Sequence, residues 1–189
     1  MKLRLDGVTP LMMHNVRLAD PDEPIVRQIS DLTAKKSAMT DAERLEVARL
    51  KFLGGMYYDQ QSGPYLPAAN IFASLIAAAR KTRKGLDVEA GVIWLADKAP
   101  LEYDGPRDPE KLWNGGNSPF VDRRMVKVDR ARVPGIRPIF PGWAAEIEID
   151  YDDTSINLSD LETFARRAGR VGVGDYRRFY GRYKATISR

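Results

Sequence analysis

Between Trp143 and Asp152 the chain alternates without a break. Ala145, Ile147, Ile149 and Tyr151 take one parity, and Glu146, Glu148, Asp150 and Asp152 take the other. Successive side chains of a strand point to opposite faces, so the pattern predicts a strand with one buried and one charged face. A sheet built from such strands has to bury its apolar side against another layer. Residues 1–8 repeat the pattern, with Leu3 and Leu5 against Lys2, Arg4 and Asp6. Residues 180–188 repeat it again, with Gly181, Tyr183, Ala185 and Ile187 against Tyr180, Arg182, Lys184 and Thr186. Residues 88–97, with Val92, Ile93, Trp94 and Leu95, read as a more buried strand.

Helical spacing supplies the second layer. Leu161, Phe164, Ala165 and Ala168 share one side of a helix over 158–170, capped by Asn157 or Ser159. Ile71, Phe72, Leu75 and Ile76 mark a mostly buried helix over 67–83. Residues 25–36 read as a helix after Asp20-Pro21-Asp22-Glu23-Pro24. Thr40 and Glu43 form a capping box that opens a helix ended by Gly54-Gly55. Residues 56–66 look like a hairpin around Gln60-Gln61-Ser62, residues 98–120 like a loop, and Val133-Pro134-Gly135-Ile136 like a turn.

Stripped of insertions, the order is β–α–β–β–α–β, which is the ferredoxin-like (RRM-like) pattern of an α+β fold. The expectation is one domain over residues 1–189, with a helical insertion at about 22–85 and a projecting basic β-hairpin at about 121–141. In that topology the first strand pairs with both 143–152 and 180–188, setting Lys2 and Arg4 against Glu146 and Glu148.

The formal net charge is +4, but its distribution says more. Residues 166–189 hold eight Lys/Arg and one acid, and residues 123–137 hold six and one. The remainder carries sixteen basic residues against twenty-four acidic. An acidic body with two basic segments points to a polyanionic partner. No apolar run approaches the roughly 20 residues of a membrane span, so no membrane partner is expected. The absence of cysteine excludes disulfides and thiol chemistry and fits a cytoplasmic protein.

The second basic segment contains Gly169-Arg170-Val171-Gly172-Val173-Gly174-Asp175-Tyr176-Arg177-Arg178-Phe179-Tyr180-Gly181-Arg182-Tyr183. Arginine interleaved with aromatic residues suits phosphate neutralisation and base stacking. The same residues also suit a helix cap, a surface loop and a last strand with core aromatics. The glycines follow a helix and precede a strand, which is the reverse of a dinucleotide fingerprint, and no P-loop Lys-Ser or Lys-Thr follows them.

This element order, glycine-rich loop and inserted basic hairpin resemble the RAMP superfamily, whose members include the backbone subunits of CRISPR effector complexes. From Pro10-Leu11-Met12-Met13-His14-Asn15 onward the chain is also similar to a group of small phage-encoded proteins. The resemblance implies a RAMP-like fold whose loop and hairpin contact a nucleic-acid backbone. The candidate contacts are Arg123, Arg124, Lys127, Arg130, Arg132, Arg137, Arg170, Gly172, Gly174, Tyr176, Arg177, Arg178, Tyr180 and Arg182. The leading expectation is a phage single-stranded DNA-binding protein that assembles side by side along the strand as a homo-oligomer or filament. A guide-RNA-binding backbone subunit is one alternative, and a phage structural or protein-binding protein is another.

Catalysis is not expected. His14 is the one histidine, and a lone histidine serves structural hydrogen bonds more often than chemistry. The carboxylates at 146–152 share one strand face and read as solvated and ion-paired, so neither a metal nor another cofactor is expected.

Overall fold

The computed structural model describes residues 1–128 and 131–188, with only the backbone of Ser37 and of residues 126–128 and 131–133. In chain order the elements are β1 (Lys2–Gly7), β2 (Leu11–Met12), α1 (Pro24–Thr33), α2 (Asp41–Gly55), β3 (Tyr58–Asp59), β4 (Gly63–Pro67), α3 (Ala68–Arg80), α4 (Gly85–Gly91), β5 (Val92–Trp94), β6 (Lys98–Glu102), α5 (Pro109–Trp113), β7 (Val121–Val128), β8 (Ala131–Phe140), β9 (Ala144–Tyr151), α6 (Leu158–Val171) and β10 (Tyr183–Ser188). The fold is mixed α+β with antiparallel sheets. The chain divides into two compact units: Met1–Leu11, Tyr58–Asp104 and Pro141–Arg189 form one, and Met12–Tyr57 and Gly105–Phe140 the other. Residues 58–85, part of the helical insertion read from the sequence, thus belong with the larger sheet.

In the first unit the sheet runs β10-β1-β9-β6-β4-β3, with β5 also paired to β9. The register sets Lys2 opposite Glu148 and Arg4 opposite Glu146 on one side of β1, and Lys184 opposite Asp6 on the other. The alternation sorts as the sequence dictates. Leu3, Leu5, Ala145, Ile147, Ile149, Tyr183 and Ala185 are buried, while Lys2, Glu148, Asp150, Lys184 and Thr186 are exposed. Leu75, Ala78 and Ala79 of α3 and Leu161, Phe164, Ala165 and Ala168 of α6 are buried in the same unit.

Three polar side-chain atoms tie this core together. Tyr183 Oη and Ser74 Oγ lie 2.7 Å apart and tie β10 to α3, while Ser74 also donates to the Ile71 carbonyl. Trp143 packs its ring edge against Tyr183 at 6.2 Å and donates from Nε1 to the Thr9 carbonyl at 2.9 Å. Buried Tyr and Trp need such partners, because an unsatisfied donor would cost about 1–3 kcal/mol.

The second unit is built on α2. Thr40 and Glu43 form the capping box that the sequence predicts. At the far end the Arg17 guanidinium donates to the carbonyls of Gly54 and Leu53 at 2.9 and 2.7 Å, meeting acceptors that a helix C-terminus leaves open. Phe52 packs on Trp113 at 5.4 Å and Phe120 on Phe140 at 5.9 Å. Among the described residues, β2, β8 and β7 form a three-stranded sheet.

Three sequence expectations are corrected. Residues 88–97 are not one strand: α4 occupies Gly85–Gly91, where Glu89 and Ala90 favour helix and Asp87 suits the first turn, and β5 begins only at the β-branched pair Val92-Ile93. Residues 98–120 are not all loop. Ala99 and Leu101 of β6 are buried in a short period-2 run, and Asp108 caps α5 by accepting from the Glu110 N–H at 2.8 Å. Val133-Pro134-Gly135-Ile136 is no turn either. The register runs from Val121↔Pro138 to Val128↔Ala131, so these four residues lie inside β8.

Burial pushes the Tyr183 phenol up to about 12, against the smaller opposing effect of the Ser74 hydrogen bond. The folded state therefore keeps a proton that the unfolded chain releases near pH 10. The resulting stability is complete below pH 10 and is lost as pH rises towards about 12. At about 1.4 kcal/mol per pH unit, urea unfolding should show roughly 2–3 kcal/mol more alkaline destabilisation in the wild type than in Tyr183→Phe. Parallel pH curves for the two proteins would contradict the buried neutral phenol.

Candidate nucleic-acid interface

α6 starts at Asn157, whose side chain accepts the Asp160 N–H at 2.9 Å. It ends at Gly172, whose N–H reaches the Ala168 carbonyl at 2.9 Å and whose φ is +83°. The chain then closes on itself. Val173 N–H donates to the Gly181 carbonyl at 3.0 Å, and Gly181 N–H donates to the Pro10 carbonyl at 2.8 Å. The Arg182 carbonyl accepts from Val8 and Thr9, and its N–H reaches Thr9 Oγ1 at 2.9 Å. A Cβ on Gly181 would sit 1.8 Å from the Val173 carbonyl oxygen, and one on Gly169 would sit 1.9 Å from that of Tyr183. These two glycines let backbone meet backbone.

Residues 174–180 are looped out from this closed neck. Gly174 has φ +76° and Tyr176 φ +50°. The Tyr176 N–H donates to the Asp175 carboxylate at 2.8 Å, and its carbonyl accepts from Phe179 and Tyr180 at 2.9 and 3.1 Å. The turn presents Tyr176, Arg177, Arg178 and Phe179 to solvent. Neither Arg177 nor Arg178 makes an ion pair among the described residues. Tyr180 is half-buried at the base.

Within the same unit a groove of about 670 Å³ runs along α6 and β10, lined by Arg166, Arg170, Arg182, Lys184 and Thr186. Arg166 and Arg170 stand one turn apart on α6, and Lys184 and Thr186 share the exposed parity of β10. Among the described residues lining the groove there is no carboxylate. Arg166 donates to Thr163 Oγ1 at 3.0 Å, and Arg170, Arg182 and Lys184 make no ion pair among the described residues. Cations gathered at an open groove without an intervening acid create the potential that draws a polyanion.

The open face of the sheet is different. Lys2 pairs with Glu146 at 2.8 Å, which raises the Lys2 pKa, and Arg4 pairs with Glu102 at 2.6 Å and with Asp6 at 3.1 Å. Asp152 accepts from the hydroxyls of Thr154 and Ser155 at 2.7 and 2.9 Å, which lowers its pKa. Charge there alternates in sign.

The hairpin cations lie in the second unit and are used variously. Arg123 stacks over Trp113 at 5.4 Å, Arg124 is held by both oxygens of Asp122, and Arg137 is half-buried. Arg130 and the side chains of Lys127 and Arg132 lie outside the described residues. His14 is exposed and lines a separate groove with Lys51 and Arg137, while Asn15 braces the chain by donating to the Met56 carbonyl at 3.2 Å. Among the described residues no three His, Asp or Glu side chains gather where they could hold a metal ion.

The structure thus brings Arg170 and Arg182 together, and sets Tyr176, Arg177 and Arg178 side by side on the loop between α6 and β10. It adds Arg166 and Lys184, which the sequence reading left out of the site. Their signal was available in the i, i+4 spacing of Arg166 and Arg170 and the i, i+2 spacing of Arg182 and Lys184. No protein-family model matches the chain, and no curated protein matches it either.

Steric closure of the neck has a measurable consequence. Gly142 also has a positive φ, +59°, but a Cβ there meets nothing within 4 Å. Gly142→Ala should cost only the left-handed penalty of about 1–2 kcal/mol. Gly181→Ala should cost about 1–3 kcal/mol more, because backbone has to move to admit the methyl. Equal losses in urea unfolding would mean that the neck is not closed by these contacts.

Proposed function

We propose that the protein is a non-catalytic single-stranded nucleic-acid-binding protein with a ferredoxin-like core of the RAMP type. The observation that carries this reading is the loop at 174–180: two arginines that make no ion pair among the described residues and two exposed aromatic rings, held on a closed neck in the same unit as the α6–β10 groove. The antiparallel order β10-β1-β9-β5, with α3 between β1 and β5 and α6 between β9 and β10, supports the ferredoxin-like part of the proposal. The mixed charge of the open sheet face favours a strand that follows the loop and sheet edge. An RNA-recognition motif instead stacks bases across the face.

In this proposal Arg177, Arg178, Arg170, Arg182 and Lys184 neutralise phosphates, and the hairpin supplies a second basic arm. Phosphate contacts carry no sequence information, so affinity should be nearly independent of sequence. Single-stranded DNA is the leading ligand and RNA the alternative, and matched deoxy and ribo strands separate the two. Neighbouring copies would coat a long strand cooperatively, as non-specific strand binders commonly do.

The test is salt dependence. Log affinity for a mixed-sequence single strand should fall linearly with log salt, by about 0.7 per phosphate neutralised. Arg177→Gln with Arg178→Gln should flatten the slope by about 1.4, weaken all sequences alike and leave the melting temperature near that of the wild type. An unchanged slope, or no binding by the wild type at low salt, would overturn the proposal.

A further inference from the structure

Phe179 is not explained by packing. It is 70% exposed and makes no ring contact among the described residues, although burying a Phe side chain is worth about 1.5–3 kcal/mol. Its position is nevertheless defined. Its N–H is bonded to the Tyr176 carbonyl at 2.9 Å, within a turn that has the left-handed Tyr176 at one end and the Gly181–Val173 neck at its base. The backbone thus holds an apolar ring in water, directly after two arginines that make no ion pair among the described residues.

A flat ring offered beside cations suits a ligand that is a π-surface carried on an anionic backbone. An unpaired nucleotide has that form. A base stacked in a duplex does not, because its faces are covered by its neighbours.

Resting on the nucleic-acid reading above, we propose that Phe179 is the base-stacking residue of this site and the feature that selects unpaired over duplex strands. The arginines of the turn and of the groove grip phosphates that both kinds of strand possess. The ring adds a contact that only a splayed base can return. Because every base has a π-face, the contact selects for strandedness without selecting for sequence.

Three strands at fixed salt test this: a mixed-sequence single-stranded 12-mer, the same strand with abasic sites throughout its centre, and a 12-base-pair duplex. The wild type should bind the intact single strand about 5- to 150-fold more tightly than the abasic strand, the range expected for one stacked base. Phe179→Ala should bind all three strands about as the wild type binds the abasic one, with the salt slope unchanged because no charge is lost. Phe179→Trp should restore the preference, while Phe179→Leu, apolar but without a flat ring, should not. Equal binding of intact and abasic strands by the wild type would overturn the stacking role and leave the phosphate-binding reading standing. An equal loss for both strands in Phe179→Ala would have the same meaning. Absence of wild-type binding to every strand would overturn both.

Discussion

In the unit that carries β1, β9 and β10, backbone meets backbone where α6 and the chain after it meet β10. Gly169 brings α6 onto the Tyr183 carbonyl, and Gly181 brings the returning chain onto the Val173 carbonyl, each at a separation no side chain would allow. That contact sets three things together: the depth at which α6 packs on the sheet, the start of β10 as its edge strand, and the closure of the loop at 174–180. Tyr183, whose carbonyl Gly169 meets, reaches Ser74 on α3 with its hydroxyl. Without that contact the loop's outward residues would lose the frame that orders them. Interiors this tightly packed resist even one added methyl group, so the glycines are structural requirements before they are anything else.

On that frame, charge separates into spent and unspent groups. Lys2, Arg4, Lys84 and Lys98 each face a carboxylate of the same unit. Exposed pairs of this kind contribute little to stability, typically under about 1 kcal/mol. They do cancel the field locally. Among the described residues Arg170, Arg177, Arg178, Arg182 and Lys184 make no ion pair, and they share the loop and the β10 edge; Arg80, Lys81 and Arg83, which follow one another at the end of α3, make none either. Net charge of +4 alone would not distinguish that arrangement from an even scatter.

The parts of the fold legible in the sequence were those written in local pattern. Strict alternation gave β1, β9 and β10 their faces, Thr40 and Glu43 marked the start of α2, and Asn157 or Ser159 marked that of α6. Short elements were not legible. β6 is five residues with Pro100 at its centre, and it is a strand because β4 and β9 receive it. The β7–β8 reversal was misplaced because Pro134-Gly135 has turn chemistry, whereas cross-strand pairing carries the strand through it. For the candidate site, the sequence marked two basic segments of similar density but not which cations have partners. Trp113 beneath Arg123 is a tertiary fact, and so is the groove that adds Arg166 and Lys184, whereas the Asp122–Arg124 pair is local, two residues apart on β7.

The central claim is that the α6–β10 edge and its loop form a surface for nucleic acid. Backbone amide shifts of the labelled protein, titrated with a short single-stranded oligonucleotide at low salt, test it most directly. The account predicts that the largest changes map to residues 176–179 and 182–186 and to the α6 turn of Arg166 and Arg170, with the open-face residues Glu146, Glu148 and Asp150 little affected. Changes confined to the open sheet face, or no changes at any residue, would contradict it.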